Sequence, residues 1–193
     1  MRTVKEPDVR KQEILDGAIR VFAQKGYDKA TIAIIAKELN ISLGLCYRYF
    51  PSKEDIYYAA IDKYADIILE VCICNRKSQM HICDWIENIS HSVTQMVAAE
   101  RNNESLYLLF HGNNAQKLHN DLMLKIASKI LPYIQNVLST AKENGEIDID
   151  HPEQIAVIGL YGELGTFFVD SMTDEERIDT IQTGWYRLLG LEK

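Results

Sequence analysis

The stretch TIAIIAKELNISLGLCYRYF, Thr31 to Phe50, decides how the chain is read. Ile32, Ile35, Ala36 and Leu39 fall at i, i+3, i+4 and i+7, the apolar stripe of one short helix, and Thr31 ahead of them is a good N-cap. Only Asn40-Ile41-Ser42 separates this run from a second one, in which Ser42 caps, Cys46, Tyr49 and Phe50 face inward, and Pro51 ends the helix. Two short helices that share a core across a three-residue corner make a helix-turn-helix unit, with Ile41 as the apolar pin. Leu43, Gly44, Tyr47 and Arg48, together with Leu45, are left facing outward from the second helix. The first run buries itself so that the second can be held out.

The same grammar extends both ways. Upstream, a helix from about Val9 to Lys25 carries the stripe Ile14, Leu15, Ala18, Ile19 and Phe22, and Gly26 stands at its C-cap. Downstream, Ser52 and Asp55 form a capping-box pattern that opens a helix from Lys53 to about Asn75. Further helices are expected over 84–100, 104–110 and 116–143, the last kinked or divided at Pro132 and closed by Asn144-Gly145. Pro152 suits the first turn of the next helix, and Thr173 to Glu176 is a capping box for a final one ending near Leu191. No alternating strand pattern occurs. The expected fold is all-α: an N-terminal three-helix head over 8–63, with its helix-turn-helix at about 31–50, joined to a larger helical domain over 64–193.

Composition narrows the function classes. The 193 residues are 47% hydrophobic and 25% charged, enough apolar material for a real core. No apolar run approaches the roughly 18 residues of a membrane span, and Met1 to Pro7 lacks a signal-peptide core, so a cytoplasmic setting with no membrane partner is expected. The net charge of −7 hides an asymmetry: residues 1–63 carry eleven Lys/Arg against nine Asp/Glu, and the remainder ten against nineteen. Cys72, Cys74, His81 and Cys83 cluster, but cysteines two apart on a helix point away from each other, and zinc pairs are usually spaced more widely. They are read as structural thiols, with no metal and no cofactor expected. No nucleophile–base pair or phosphate loop appears among the histidines and carboxylates, so an enzyme is not expected.

Residues from about Val9 to Lys63 closely resemble the N-terminal DNA-binding domain of the TetR family of bacterial transcriptional regulators. The resemblance rests on Ile14-Leu15, Phe22, Gly26-Tyr27, Thr31, Ile35-Ala36, Ile41-Ser42, Gly44 and the run from Tyr47-Arg48-Tyr49-Phe50 through Pro51-Ser52-Lys53-Glu54. It implies a homodimer whose two heads enter successive major grooves of a pseudo-palindromic operator on double-stranded DNA. By position, Thr31, Tyr47 and Lys53 look like phosphate contacts, and Leu43, Gly44, Leu45 and Tyr49 fall where base contacts lie; Ser42 and Arg48 complete the set. Relatives often carry a lysine or other polar residue where Leu43 stands, and a threonine or alanine where Leu45 stands. This apolar face predicts an A/T-rich operator, because apolar side chains can meet thymine methyl groups but cannot hydrogen-bond guanine. Ile34 is balanced between the DNA face and packing against a neighbouring helix.

The resemblance also implies a repressor that leaves its operator when a small molecule enters the C-terminal core; the alternative is a helical sensor or adaptor that has lost DNA binding. Candidate lining residues are Tyr64, Ile68, Trp85, Ile89, Met96, Tyr107, Phe110, His111, Tyr133 and Phe168, a set favouring a hydrophobic or amphipathic effector. The same residues would also make an ordinary helical core. Gly159, Gly162 and Gly165, with Ile181, Trp185 and Leu188, are expected at a four-helix dimer interface. Glu163 is either a polar contact across the dimer axis or solvated.

Overall fold

Capping residues set the bounds of several helices. A computed structural model describes residues 6–73, 80–101, 104–111, 116–169 and 171–193; side chains at 71–73, 90, 93–94, 96–101, 106, 110–111 and 116 lie outside that description. The described residues form nine α-helices and no strand. Helix α1 (Pro7–Lys25) has proline in its first turn, Asp8 near its N-terminus and Lys25 in its last turn, all favourable to the helix and its dipole. Its buried face contains the expected stripe Ile14, Leu15, Ala18, Ile19 and Phe22, with Gly17 and Val21 added. Gly26 closes α1 at φ 78°, and its N–H donates to the Phe22 carbonyl at 2.8 Å.

Helices α2 (Ile32–Glu38) and α3 (Leu43–Tyr49) are capped as expected: the Thr31 hydroxyl oxygen accepts from the Ile34 N–H, and that of Ser42 from the Leu45 N–H, both at 3.3 Å. The corner between them is a Schellman closure. Asn40 adopts φ 52°, its N–H donates to the Lys37 carbonyl, and the Ile41 N–H donates to the Ala36 carbonyl at 3.0 Å. Asparagine tolerates this left-handed conformation better than other residues with a side chain. Gly17 lets α2 come close: a Cβ there would lie 2.6 Å from Leu39 Cδ2.

Helix α4 (Lys53–Ile73) opens with the Ser52–Asp55 box, the two residues exchanging backbone-to-side-chain hydrogen bonds at 2.9 and 3.1 Å. There follow α5 (Ile82–Arg101), α6 (Glu104–His111), α7 (Gln116–Glu143), α8 (Pro152–Thr166) and α9 (Asp174–Leu188). The helices gather into two compact units, 1–65 with 100–122, and 66–99 with 123–193. In the first, α6 packs on α1, and the core is built from Phe22, Ile35, Cys46, Phe50, Ile56, Ile61 and Tyr64. Lys63 reaches Asp16 on α1 at 2.5 Å, and the Tyr57 hydroxyl donates to Asp121 on α7. Burial first, then that hydrogen bond and the Asp121 charge, push the Tyr57 hydroxyl pKa well up.

In the second unit, the two tryptophans meet edge to face, Trp85 on α5 and Trp185 on α9, with centroids 5.1 Å apart. The Tyr186 hydroxyl donates to Glu87 at 2.9 Å, and the buried Gln182 amide donates to the Ile86 and Glu87 carbonyls at 3.4 and 3.3 Å. Thr173 and Glu176 form the anticipated capping box of α9, at 2.9 and 3.2 Å.

Of the two expectations for Pro132, a kink or a division, the division does not occur: α7 runs through it as one helix. Proline forfeits one intrahelical hydrogen bond. Ile126 and Ala127 are buried before it, Ile134 and Leu138 after it, and Pro132 itself is exposed. Buried side chains on both flanks hold the helix through the defect. Helix α9 also stops at Leu188, short of Leu191; Gly190 turns at φ 68°, and the Leu191 N–H donates back to the Tyr186 carbonyl at 2.9 Å.

Candidate nucleic-acid interface

Helix α3 is anchored from beneath by Cys46 and Phe50, 0% and 2% exposed. Opposite them stands a ridge. Leu43 and Tyr47, one turn apart, are 44% and 49% exposed, and Gly44 and Arg48 beside them are exposed too. A Cβ added at Gly44 would meet nothing within 4 Å, so no packing inside the chain requires glycine there. Leu45 and Tyr49 are half-buried at the flanks. Ile34 is half-buried, whereas Ala33 and Lys37 on α2 are exposed.

Thr31 and Ser42 are exposed. Their hydroxyl oxygens accept the cap hydrogen bonds, which leaves each O–H free to donate outward. Lys53, at the start of α4, is half-buried: its Nζ donates to the Tyr27 carbonyl at 3.0 Å and lies 4.1 Å from the Tyr27 ring centroid. Burial, and then the Glu54 carboxylate 3.4 Å away, push the Tyr27 hydroxyl pKa up to about 12. Burial raises the Cys46 thiol as well, so it sits protonated in the core as a small apolar group. In the sequence Tyr27 stands out only in the Gly26-Tyr27 pair, and nothing local marks it as a seat for Lys53. The signal that remained was an aromatic placed directly after a helix-ending glycine.

The candidate effector residues fall in different places. Tyr64 is buried in the first unit; Ile68, Trp85 and Ile89 are buried in the second. Tyr133 is half-buried, Tyr107 is 38% exposed and Phe168 48% exposed. The side chains of Met96, Phe110 and His111 lie outside the described residues, as do those of Cys72 and Cys74. His81 and Cys83 are described: the His81 ring accepts from the Cys83 N–H at 3.3 Å and lies 3.7 Å from Glu146.

Among the candidate dimer residues, Gly159, Ile181 and Trp185 are buried within the second unit, Leu188 is half-buried, and Gly162 and Gly165 are exposed with open space where a Cβ would stand. Between α8 and α9 runs a groove of about 250 Å³, lined by Ile158, Gly162, Glu163, Thr180, Gly184 and Trp185 among others. Glu163 accepts the Trp185 indole N–H at 3.2 Å.

A capped, exposed ridge on the second helix of a Schellman-linked pair defines the class: a helix-turn-helix protein with an all-α body. Residues 14–60 match the model of "Bacterial regulatory proteins, tetR family". Over 53 residues the chain is 45% identical to the HTH-type transcriptional regulator YuxN of Bacillus subtilis, covering 28% of this chain and 18% of that protein. Over 74 residues it is 34% identical to IcaR of Staphylococcus aureus, the negative transcriptional regulator of the biofilm operon icaADBC, covering 38% of this chain and 40% of that one. The match thus spans less than half the length of either relative. The solved SmeT–triclosan complex shares the fold across 94% of this chain and 88% of that one, with a TM-score of 0.57 at 16% identity. YuxN and IcaR are both transcriptional regulators by description. No helix of the described residues is long and apolar enough to cross a membrane.

Proposed function

We propose that the chain is a ligand-responsive transcriptional repressor that binds an operator through its head, 8–63, and senses and dimerises through 64–193. The observation that carries this reading is the exposed ridge of Leu43, Gly44, Tyr47 and Arg48, held out by two capped helices on a buried base. Thr31, Ser42, Tyr47 and Lys53 are the phosphate-directed groups, since hydroxyls and an ammonium donate well to phosphate oxygens. Leu43 and Gly44 are the base-directed ones. Leu43 offers only methyl groups, which suits thymine and hence an A/T-rich half-site.

Two heads would engage half-sites about 34 Å apart, one helical turn. The partner is a second copy meeting the α8–α9 face, where Ile158 and Tyr161 are exposed and Gly162 and Gly165 allow backbones to approach. Gly159, Ile181 and Trp185 support that face from behind. A hydrophobic or amphipathic molecule binding the helical body would release DNA to the extent that it prefers the released state. The complex of SmeT with triclosan, a structure that shares this fold, supports such a ligand class. The test is electrophoretic mobility shift of random-sequence duplexes at rising salt: protein-bound DNA that dissociates as salt increases is expected, and absence of any shift removes the reading.

A further inference from the structure

Lys53 and Tyr27 lie 26 residues apart in the chain, yet two contacts join them. The Lys53 ammonium donates to the Tyr27 backbone carbonyl at 3.0 Å. The same ammonium stands 4.1 Å from the centroid of the Tyr27 ring. That ring is itself held, with Phe22 at 5.4 Å and Tyr57 at 5.0 Å on either hand. The Tyr27 hydroxyl lies 3.4 Å from Glu54, which gives the neighbouring carboxylate a partner other than the ammonium.

An ammonium has three N–H bonds. The carbonyl takes one and the ring face lies against the ammonium, while the lysine is only half-buried and so stays partly open to solvent. We infer that Tyr27 is a positioning residue for DNA binding: it fixes the Lys53 charge at the start of α4 so that a backbone phosphate meets a group already in place. A free lysine loses rotamer freedom when a phosphate captures it, whereas here the fold has already imposed that order. The inference rests on the DNA-binding reading above.

The experiment is a double-mutant cycle on the full-length chain, read as affinity and salt slope on a random-sequence duplex pool. Lys53→Gln should weaken binding and lower the salt slope by about 1. Tyr27→Leu, which removes the ring and keeps the carbonyl, should cost about two- to fivefold. Tyr27→Phe, which keeps the ring but releases Glu54, should cost less than Tyr27→Leu. In the Lys53→Gln background, Tyr27→Leu should cost nothing further. Loss of the same factor in both backgrounds overturns the inference, because a tyrosine that merely supports the head acts whatever stands at 53. Parent-like salt slope in Lys53→Gln also overturns it while leaving DNA binding intact. If Tyr27→Leu does not fold, the Lys53 side-chain resonances of the parent decide: ring-current-shifted signals in the free chain support the seat, and random-coil shifts overturn it. A parent chain whose binding ignores salt, or which does not bind, removes the DNA-binding reading and this inference together.

Discussion

Gly159 lies flat against the six-membered ring of Trp185: a Cβ added at 159 would sit 2.2 Å from the indole Cη2. Contacts under 3 Å require something to move, and Trp185 is 1% exposed, with its indole N–H held by Glu163. Gly162, one turn on, faces open space. Two glycines in one helix therefore answer to different constraints. Gly159→Ala should destabilise the fold by about 1–3 kcal/mol, as overpacking does. Gly162→Ala should leave protomer stability unchanged or raise it by up to about 1 kcal/mol, from helix propensity alone. Urea denaturation of both variants separates them. Sedimentation of Gly162→Ala then reports whether a second copy uses that open space, a weakened dimer being the expected result.

Helix α3 has only seven residues, so its cap carries much of its definition. Ser42→Ala removes the acceptor for the Leu45 N–H and should cost about 1 kcal/mol, with Ser42→Gly closer to the parent. Chemical denaturation followed by tyrosine fluorescence measures this. Equal stability of Ser42→Ala and the parent would contradict the cap's assigned weight.

Glu146 fastens the start of α5. It accepts the Ile82 N–H at 2.7 Å and the Asn144 amide at 3.1 Å, with His81 at 3.7 Å. Burial alone would raise its pKa, but the hydrogen bonds from Ile82 and Asn144 and the His81 charge outweigh it and hold the carboxyl below its ordinary 4.5. A depressed pKa stabilises the fold fully above the ordinary value, and that contribution disappears as pH falls through the lowered one. The parent should therefore lose more stability than Glu146→Gln on acidification below about pH 4.5. Thermal melts of the two chains across that window check it, and parallel curves would count against the cap.

Leu43 should make its mark on base identity. In a duplex selected by the protein, uracil in place of the thymine opposite Leu43 should weaken binding by about fourfold, the worth of one methyl-sized apolar group. Leu43→Ala should bind thymine and uracil duplexes alike. Parent binding indifferent to the exchange at every position would show that Leu43 does not read thymine.

What could be read in advance followed a physical divide. The α1 stripe, the Thr31, Ser42 and Thr173 caps and the corner at Asn40 are local in sequence, because capping and amphipathic spacing act over three or four residues. Pro132 does not divide α7, because buried residues on both sides outweigh its local signal. The exposed ridge was legible from periodicity, yet the seat of Lys53 was not, since the two residues meet only after α1 and α4 have packed. Gly159 and Gly162 look alike in sequence; only Trp185, 26 residues past the first, tells them apart.

The most direct test of the account is the salt dependence of binding between the full-length chain and a duplex it has selected. Log affinity should fall linearly with log salt, with a slope that becomes shallower by about 1 in Lys53→Gln. A chain that selects no duplex, or binds one with an affinity that salt does not change, would contradict it.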